Sequence, residues 1–137
     1  MEARMRNFEI EIVTPEGLAF SGEAESIILR TDIGNVQILA GHTDYIATLD
    51  TGKITLRVDG KDRFASSSGG FVSVKDGKVK VVVTSLEFAD QIDEKRAEIA
   101  KGKAEERLRN AKTDAEIEIA KAKLKRAISR MNVSKLK

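Results

Sequence analysis

The apolar positions change their period near residue 88, and this change divides the chain into two parts. Before it, short segments alternate apolar and polar residues, as in "FEIEIV" at 8–13, a period of two that is typical of half-buried strands. After it, apolar residues recur at three- and four-residue steps, which is the spacing of an amphipathic helix. The pattern therefore predicts an α+β fold, mainly β, with a sandwich domain in residues 1–88 and helices in residues 89–137.

Turn signals separate the strand segments of the first part. Asp59-Gly60 and Asp76-Gly77 each stand between two apolar runs. Asp-Gly suits the tight turns of β-hairpins, whose twist matches that of the paired strands. Several short strands joined in this way predict an antiparallel β-sandwich or barrel. We expect its core to contain Ile10, Ile12, Ile28, Ile38, Leu56, Phe71, Val81 and Val83.

Two antiparallel helices joined by "NAKT" at 110–113 are predicted for the second part, because a short connection makes helices antiparallel neighbours. Asp90 is expected to cap a first helix that ends near Arg109, and Thr113 with Glu116 forms a capping box for the second. The facing stripes are Ile92, Ile99, Ala100, Ala104 and Leu108 on one helix and Ile117, Ala120, Leu124, Ala127, Ile128 and Met131 on the other. Alanines bury little area and Gly102 costs about 1 kcal/mol relative to alanine, so we expect a detachable hairpin.

Composition removes several classes of function. The 24 Lys+Arg and 22 Asp+Glu leave a net charge of only +2, which gives no general attraction to nucleic acid or membranes. The absence of cysteine and the single histidine, His42, exclude disulfides, thiolate zinc sites, a cysteine nucleophile and a multi-histidine metal site. The sequence therefore requires no metal. The start "MEARMRNF" has no apolar signal region, so we expect cytosolic exposure.

Four charged residues in the helical part form a candidate anion site. Asp93 and Arg96 lie one turn apart, as do Arg126 and Arg130. If the hairpin folds about residue 111, the two pairs come level at its open end. Arginine forks and a helix start both favour phosphate oxygens. Charge spacing alone more often reflects caps and ion pairs on a helix surface than an anion site.

Four motifs, in order along the chain, carry a resemblance to a known family. "GNVQILAGH" at 34–42, "SGGFVSV" at 68–74, "IDEKRA" at 92–97 and "LKRAISRMNV" at 124–133 resemble the epsilon subunit of bacterial F-type ATP synthase, and the match runs from "IVTPEG" through the last helix. The resemblance implies the same sandwich and hairpin. It also implies a non-catalytic rotor-stalk subunit whose sandwich binds the gamma subunit and rests on the c-ring.

The resemblance further implies that the hairpin is a mobile brake. It would inhibit ATP hydrolysis when it extends toward the alpha and beta subunits. ATP, as a regulatory ligand, would favour the folded hairpin, bound by the residues that match the family's motif: Glu87, Ile92, Asp93, Arg96, Ala97, Arg126 and Arg130. The expected location is the cytoplasmic face of the bacterial plasma membrane, with membrane association only through the complex.

The resemblance also implies a loop that faces the c-ring. Its candidate residues are Gly34, Asn35, Gly41 and His42. The segment departs from the family pattern, because Asn35, Gln37 and Ala40 stand where a glutamate, a glycine and a proline are common. The glutamate that the resemblance implies for a charged contact with the c-ring is therefore replaced, although the loop itself is recognisable.

Two other functions are open to a chain of this composition. An independent enzyme is disfavoured, because the chain has no glycine-rich phosphate loop, no paired carboxylates in an apolar setting and no nucleophile motif. A nucleic-acid-binding β-barrel with a basic helical tail is suggested by "KAKLKR" at 121–126. Five Phe, one Tyr and no Trp offer few stacking platforms for bases, so this reading remains the alternative and nucleic acid is not an expected partner.

Overall fold

The computed structural model describes residues 6–136. These residues form ten strands and two α-helices. The strands are β1 (Phe8–Thr14), β2 (Gly17–Ala24), β3 (Ser26–Thr31), β4 (Gly34–Leu39), β5 (Tyr45–Leu49), β6 (Gly52–Val58), β7 (Lys61–Ser67), β8 (Gly70–Lys75), β9 (Lys78–Val83) and β10 (Leu86–Phe88). The helices are α1 (Glu94–Asn110) and α2 (Asp114–Ser134), preceded by a 3₁₀ turn at Ala89–Gln91.

The strands hydrogen-bond in the order β10-β7-β6-β3-β5-β8-β9-β1-β2, with β4 on the free side of β3. β3 and β5 share only the pair Thr31 and Leu49, so the sheet folds over at this point. Inward side chains from both halves then form one core, which confirms the predicted sandwich or barrel. Among the described strands one pairing departs from the antiparallel prediction, since β1 runs parallel to β9.

The sandwich core corrects two of the predicted core positions. Ile10, Ile38 and Leu56 are buried as expected, together with the other predicted side chains Ile12, Val81 and Val83. Ile28 is only partly buried, because β3 presents Ile27 and Leu29 to the core instead. Phe71 is 43% exposed. It lies on the outer face of β8, because Val72 and Val74 point inward.

Both Asp-Gly pairs form the predicted hairpin turns. Asp59 and Gly60 have φ angles of 51° and 75°, and Asp76 and Gly77 have 50° and 78°. Two successive positive φ angles are those of a type I′ turn. The turns join β6 to β7 and β8 to β9 in antiparallel register, so the short-range signal in the sequence was correct.

The helix starts are set by side-chain caps. Thr113 Oγ1 accepts a hydrogen bond from the Glu116 N–H at 3.1 Å, and Glu116 Oε2 accepts from the Lys112 N–H at 2.9 Å, so the second helix begins where predicted. The first helix begins later than predicted. Asp90 lies in the 3₁₀ turn, and the cap is Asp93, whose carboxylate accepts from the Arg96 N–H at 3.2 Å.

The two helices are antiparallel and meet along a seam of alanines. The buried seam residues are Ala97, Ala104, Ala120 and Ala127. Two predicted members of the stripes lie outside the seam, since Ile99 is 59% exposed and Ile128 is 37% exposed. Small side chains allow the helix axes to approach closely but bury little apolar area, so the hairpin depends on its contacts with the sandwich.

Those contacts run mainly through α2, which packs on β6 and β7. A small apolar cluster, formed by Ala89, Ile92, Ala97 and Val133 with Phe64 and Met131 packed against it, anchors the open end of the hairpin. Farther along α2, Ser129 and Ser66 share a hydrogen bond of 2.7 Å. Lys125 Nζ lies 2.7 Å from both carboxylate oxygens of Asp50.

Candidate functional site

A cleft of about 670 Å³ opens between the hairpin and the sandwich. It has three walls, formed by α1, by α2 and by the ends of β7, β9 and β10. The residues that line it are Ala100, Lys103, Ala104 and Arg107 on α1, Lys123, Arg126, Ala127 and Arg130 on α2, and Ser68, Thr84, Ser85 and Glu87 on the sandwich. The cleft therefore exists only while the hairpin is folded against the sandwich.

The helical walls of the cleft are strongly cationic. Five of the lining side chains are Lys or Arg and one is a carboxylate, which leaves an excess of four positive charges. The cations repeat at three- or four-residue steps, so that each helix presents them on a single face. Like charges gathered around a partly enclosed space raise the local positive potential. A polyanion is the ligand that such a cleft favours.

Arg130 is held by the only carboxylate of the cleft. Its Nε donates to Glu87 Oε1 at 2.6 Å and its second nitrogen donates to Glu87 Oε2 at 3.4 Å. Both side chains are about one third exposed, at 29% and 37%. The two-point contact fixes the guanidinium at the sandwich wall. Arg126, by contrast, makes no ion pair within residues 6–136, so its fork is available to a ligand.

Hydroxyl groups form the rest of the sandwich wall. Thr84 Oγ1 donates to Ser68 Oγ at 3.0 Å or to the Gly69 carbonyl at 3.3 Å. Ser68 Oγ and Ser85 Oγ are hydrogen-bonded to each other. Ser68 is 6% exposed. Apart from Glu87, the wall opposite the cations is therefore polar, uncharged and held in place by its own hydrogen bonds.

The residues of "IDEKRA" lie beside the cleft rather than along its walls. Ile92 and Ala97 are buried, at 2% and 0% exposure, in the small cluster that anchors the hairpin. Asp93 caps α1. Arg96 is exposed and lies one turn before Ala100 on the face that lines the cleft. The structure thus brings Glu87, Arg126 and Arg130 together and leaves Asp93 and Arg96 at the open end of the hairpin.

Six polar lining residues were absent from the sequence-based site. Lys103 and Arg107 follow Arg96 at helical spacing, and Lys123 precedes Arg126 by one turn, so extending each stripe by one to three turns would have found them. Ser68, Thr84 and Ser85 gave no comparable signal. They meet only because β10 pairs with β7, where Leu86 lies opposite Ser67.

The predicted c-ring-facing residues do not form one loop. Gly34 and Asn35 begin β4, whereas Gly41 and His42 follow its end. A strand of this length separates its ends by about 20 Å. His42 Nδ1 lies 2.8 Å from the Thr43 carbonyl oxygen, and its ring packs edge-on against Tyr45. Positive φ angles of 127° at Gly34 and 80° at Gly41 explain the glycines at both turns.

A β-sandwich that carries a folded helical hairpin is the architecture of one subunit class of rotary ATP synthases. Residues 7–89 match the family described as ATP synthase, Delta/Epsilon chain, beta-sandwich domain. Residues 90–135 match its long alpha-helix domain. The chain therefore belongs to the ATP synthase delta/epsilon chain family, as the resemblance of its motifs predicted.

The curated relatives are epsilon chains. The chain is 38% identical over 134 residues to the ATP synthase epsilon chain of Ruminococcus albus, covering 97% of this chain and 100% of that one. It is 38% identical over 133 residues to the epsilon chain of Bacillus cytotoxicus, with the same coverage.

Two solved assemblies contain chains of the same fold. A chain in the mitochondrial ATP synthase of Euglena gracilis (OSCP/F1/c-ring) matches with a TM-score of 0.82 and 19% identity, over 100% of this chain and 86% of that one. A chain in the central stalk and c-ring of the Tetrahymena thermophila mitochondrial ATP synthase matches with a TM-score of 0.66 and 17% identity. The match covers 96% of this chain and 99% of that one. No helix within residues 6–136 is both long and apolar enough to cross a membrane.

Proposed function

We propose that the chain is a non-catalytic central-stalk subunit of an F-type ATP synthase, in which the hairpin inhibits ATP hydrolysis when extended and a bound nucleotide keeps it folded. The observation that carries the proposal is the cationic cleft, which both helices and the sandwich build together. A ligand in that cleft contacts all three walls. It therefore favours the folded state over any state in which a wall has moved away.

The size and charge of the cleft suit a nucleoside triphosphate. Its volume of about 670 Å³ falls within the ~300–1,000 Å³ of small-molecule sites. Four excess positive charges match the charge of a triphosphate, and arginine forks bind phosphate oxygens at two points. ATP is the regulatory ligand that the family resemblance suggests. Asp93, as the α1 cap, would orient the helix start, and Arg96 would close the open end of the cleft.

The outer face of the sandwich supports a protein partner. Phe71 on β8 lies opposite Val82 on β9, which lies opposite Val13 on β1, and Val13 lies opposite Leu18 on β2. Phe71 and Leu18 are 43% and 62% exposed, and Ile46 on β5 is 73% exposed on the same face as Phe71. A row of exposed apolar side chains on a sheet marks an interaction surface.

We assign the gamma subunit to this apolar row and the c-ring to the turns that flank β4. The alpha and beta subunits would meet the hairpin only after it extends. In this arrangement the chain sits peripherally at the cytoplasmic face of the bacterial plasma membrane and reaches it only through the complex.

Arg126 gives the sharpest test of nucleotide binding. A hydrogen bond to a charged partner contributes about 1.5–3 kcal/mol, so Arg126→Ala should weaken ATP binding at least about tenfold. Arg126→Lys should restore only part of the loss, because lysine keeps the charge and lacks the fork. Lys121→Ala, an exposed position on α2 outside the cleft, is the matched control. Equal ATP affinity of the parent and Arg126→Ala in calorimetry would refute the nucleotide site.

A further inference from the structure

The hydroxyl groups of the sandwich wall can leave one proton free for a ligand. Ser68 and Ser85 have two hydroxyl protons between them, and the hydrogen bond that joins their oxygens uses one. Thr84 supplies its own proton to Ser68 Oγ or to the Gly69 carbonyl. When Thr84 donates to Ser68 Oγ, one serine proton has no acceptor among residues 6–136, whichever serine donates to the other. Because both serines line the cleft, that hydroxyl can turn toward the space where a ligand would lie.

The position of the donor matters more than its strength. The five cations of the cleft all belong to α1 and α2, so they move with the helices when the helices leave the sandwich. A ligand held by these cations alone would bind the undocked hairpin as well as the docked one. A ligand with equal affinity for two states shifts neither, however tightly it binds. Preference for the docked hairpin requires contacts from the sandwich.

The sandwich offers two kinds of group to such a ligand. Glu87 is anionic and already bound to Arg130, so it repels phosphate. Ser68 and Ser85 supply an uncharged donor that attracts an acceptor oxygen. We propose that the Ser68–Ser85 hydroxyl pair donates a hydrogen bond to an anionic nucleotide in the cleft, and that this bond makes nucleotide binding specific for the docked hairpin. This inference rests on the proposed function of the cleft.

The test separates binding from docking. ATP affinity is measured by calorimetry in the full chain. Docking is measured by the distance between fluorescent labels on the sandwich and on the hairpin tip. Because the chain contains no cysteine, Lys61→Cys on β7 and Lys112→Cys before α2 introduce one labelled pair at exposed positions.

Removing the hydroxyl donor should lower both the affinity for ATP and the effect of ATP on docking of the hairpin. Ser85→Ala leaves the charge unchanged and should weaken ATP binding about tenfold or more, the effect of one hydrogen bond to a charged partner. The ATP-induced shortening of the label distance should need correspondingly more ATP. Ser85→Thr keeps a hydroxyl and should behave as the parent. Ser67→Ala, at a buried neighbour that does not line the cleft, should also bind ATP as the parent does.

The outcomes distinguish this inference from the function on which it rests. If the parent chain binds ATP and Ser85→Ala binds it equally well, the hydroxyl contact is wrong and the cationic cleft stands. A lower melting temperature of Ser85→Ala with unchanged ATP affinity would likewise overturn it, because the pair would then be only structural. If the parent binds neither ATP nor inorganic tripolyphosphate, both proposals fall together.

Discussion

Lys125→Met should loosen the hairpin without disturbing the cleft. Lys125 Nζ contacts both carboxylate oxygens of Asp50 at 2.7 Å, and this pair joins the middle of α2 to the turn between β5 and β6. Lys125 does not line the cleft. Methionine keeps the length and the apolar stem of lysine, so the substitution removes the charge and little else.

The expected effect is small because the pair is partly solvated. Side-chain exposure is 54% for Lys125 and 32% for Asp50, and exposed ion pairs contribute about 0.2–1 kcal/mol. The ratio of docked to undocked hairpin should therefore fall by no more than about fivefold. Ser66 with Ser129 and Glu87 with Arg130 still join the elements, so release should be partial.

The pH dependence of docking follows from the same carboxylate. The hydrogen bond from Lys125 is the largest of the effects that hold the pKa of Asp50 below its ordinary value of 3.8, with the Thr51 N–H and Arg30 acting in the same direction and burial against them. The lowering that Lys125 causes is present only in the docked state, so the ionised carboxylate stabilises docking at pH values above its ordinary pKa of 3.8. That contribution disappears as the pH falls through the lowered pKa. It is fully present at neutral pH.

The label distance between β7 and the hairpin tip measures this effect. Lys125→Met and Asp50→Asn should each lengthen the mean distance at pH 7, and the double variant should show no further loss. Lys121→Met on the same helix is the control for removal of a positive charge. Docking of Lys125→Met that equals the parent at pH 7 would show that the apolar cluster and the other polar contacts hold the hairpin by themselves.

Three further outcomes are expected. Gly70→Ala should unfold the sandwich or destabilise it by more than about 3 kcal/mol in a urea titration, because a Cβ at this position would lie 1.8 Å from the Val82 carbonyl oxygen. A stability equal to the parent would mean that β8 and β9 can separate freely. Gly102→Ala should stabilise the hairpin by up to about 1 kcal/mol, because a Cβ at this position would meet no atom within 4 Å. A loss of helical circular dichroism on heating at a lower temperature than in the parent would contradict this. The fragment 1–88 should fold alone and give a dispersed proton spectrum; a collapsed spectrum would place the domain boundary elsewhere.

Local sequence patterns correctly predicted the parts of the fold that depend on interactions between residues close in sequence. The Asp-Gly turns and the Thr113 cap were correct because their geometry involves four or five consecutive residues. Burial on β3 was harder to predict. "SIIL" at 26–29 is apolar on both faces, so alternation could not decide between Ile28 and its neighbours. Phe71 was misplaced for a related reason, since an aromatic residue on the outer face of a strand looks like a core residue in the sequence.

The sequence predicted part of the candidate site. Charge spacing on the helices brought out Arg126 and Arg130, and the family resemblance added Glu87. The cap at Asp93 shows why spacing alone was ambiguous, since the same residue suits a helix start and an anion site. The hydroxyl wall was invisible in the sequence. Its serines and threonine meet through pairing of β7 with β10 and of β8 with β9, which no local pattern encodes.

The parallel pairing of β1 with β9 has a consequence for synthesis on the ribosome. Glu9 pairs with Lys78 and Val13 with Val82, so the first strand waits for roughly 70 further residues, a delay of roughly 4–14 s at 5–20 residues per second. Its antiparallel partner β2 follows at once. Until β9 emerges, β1 therefore presents an open edge that could pair with another nascent chain. Glu9 and Glu11 are exposed on that strand, and their charges would repel a second copy during the delay.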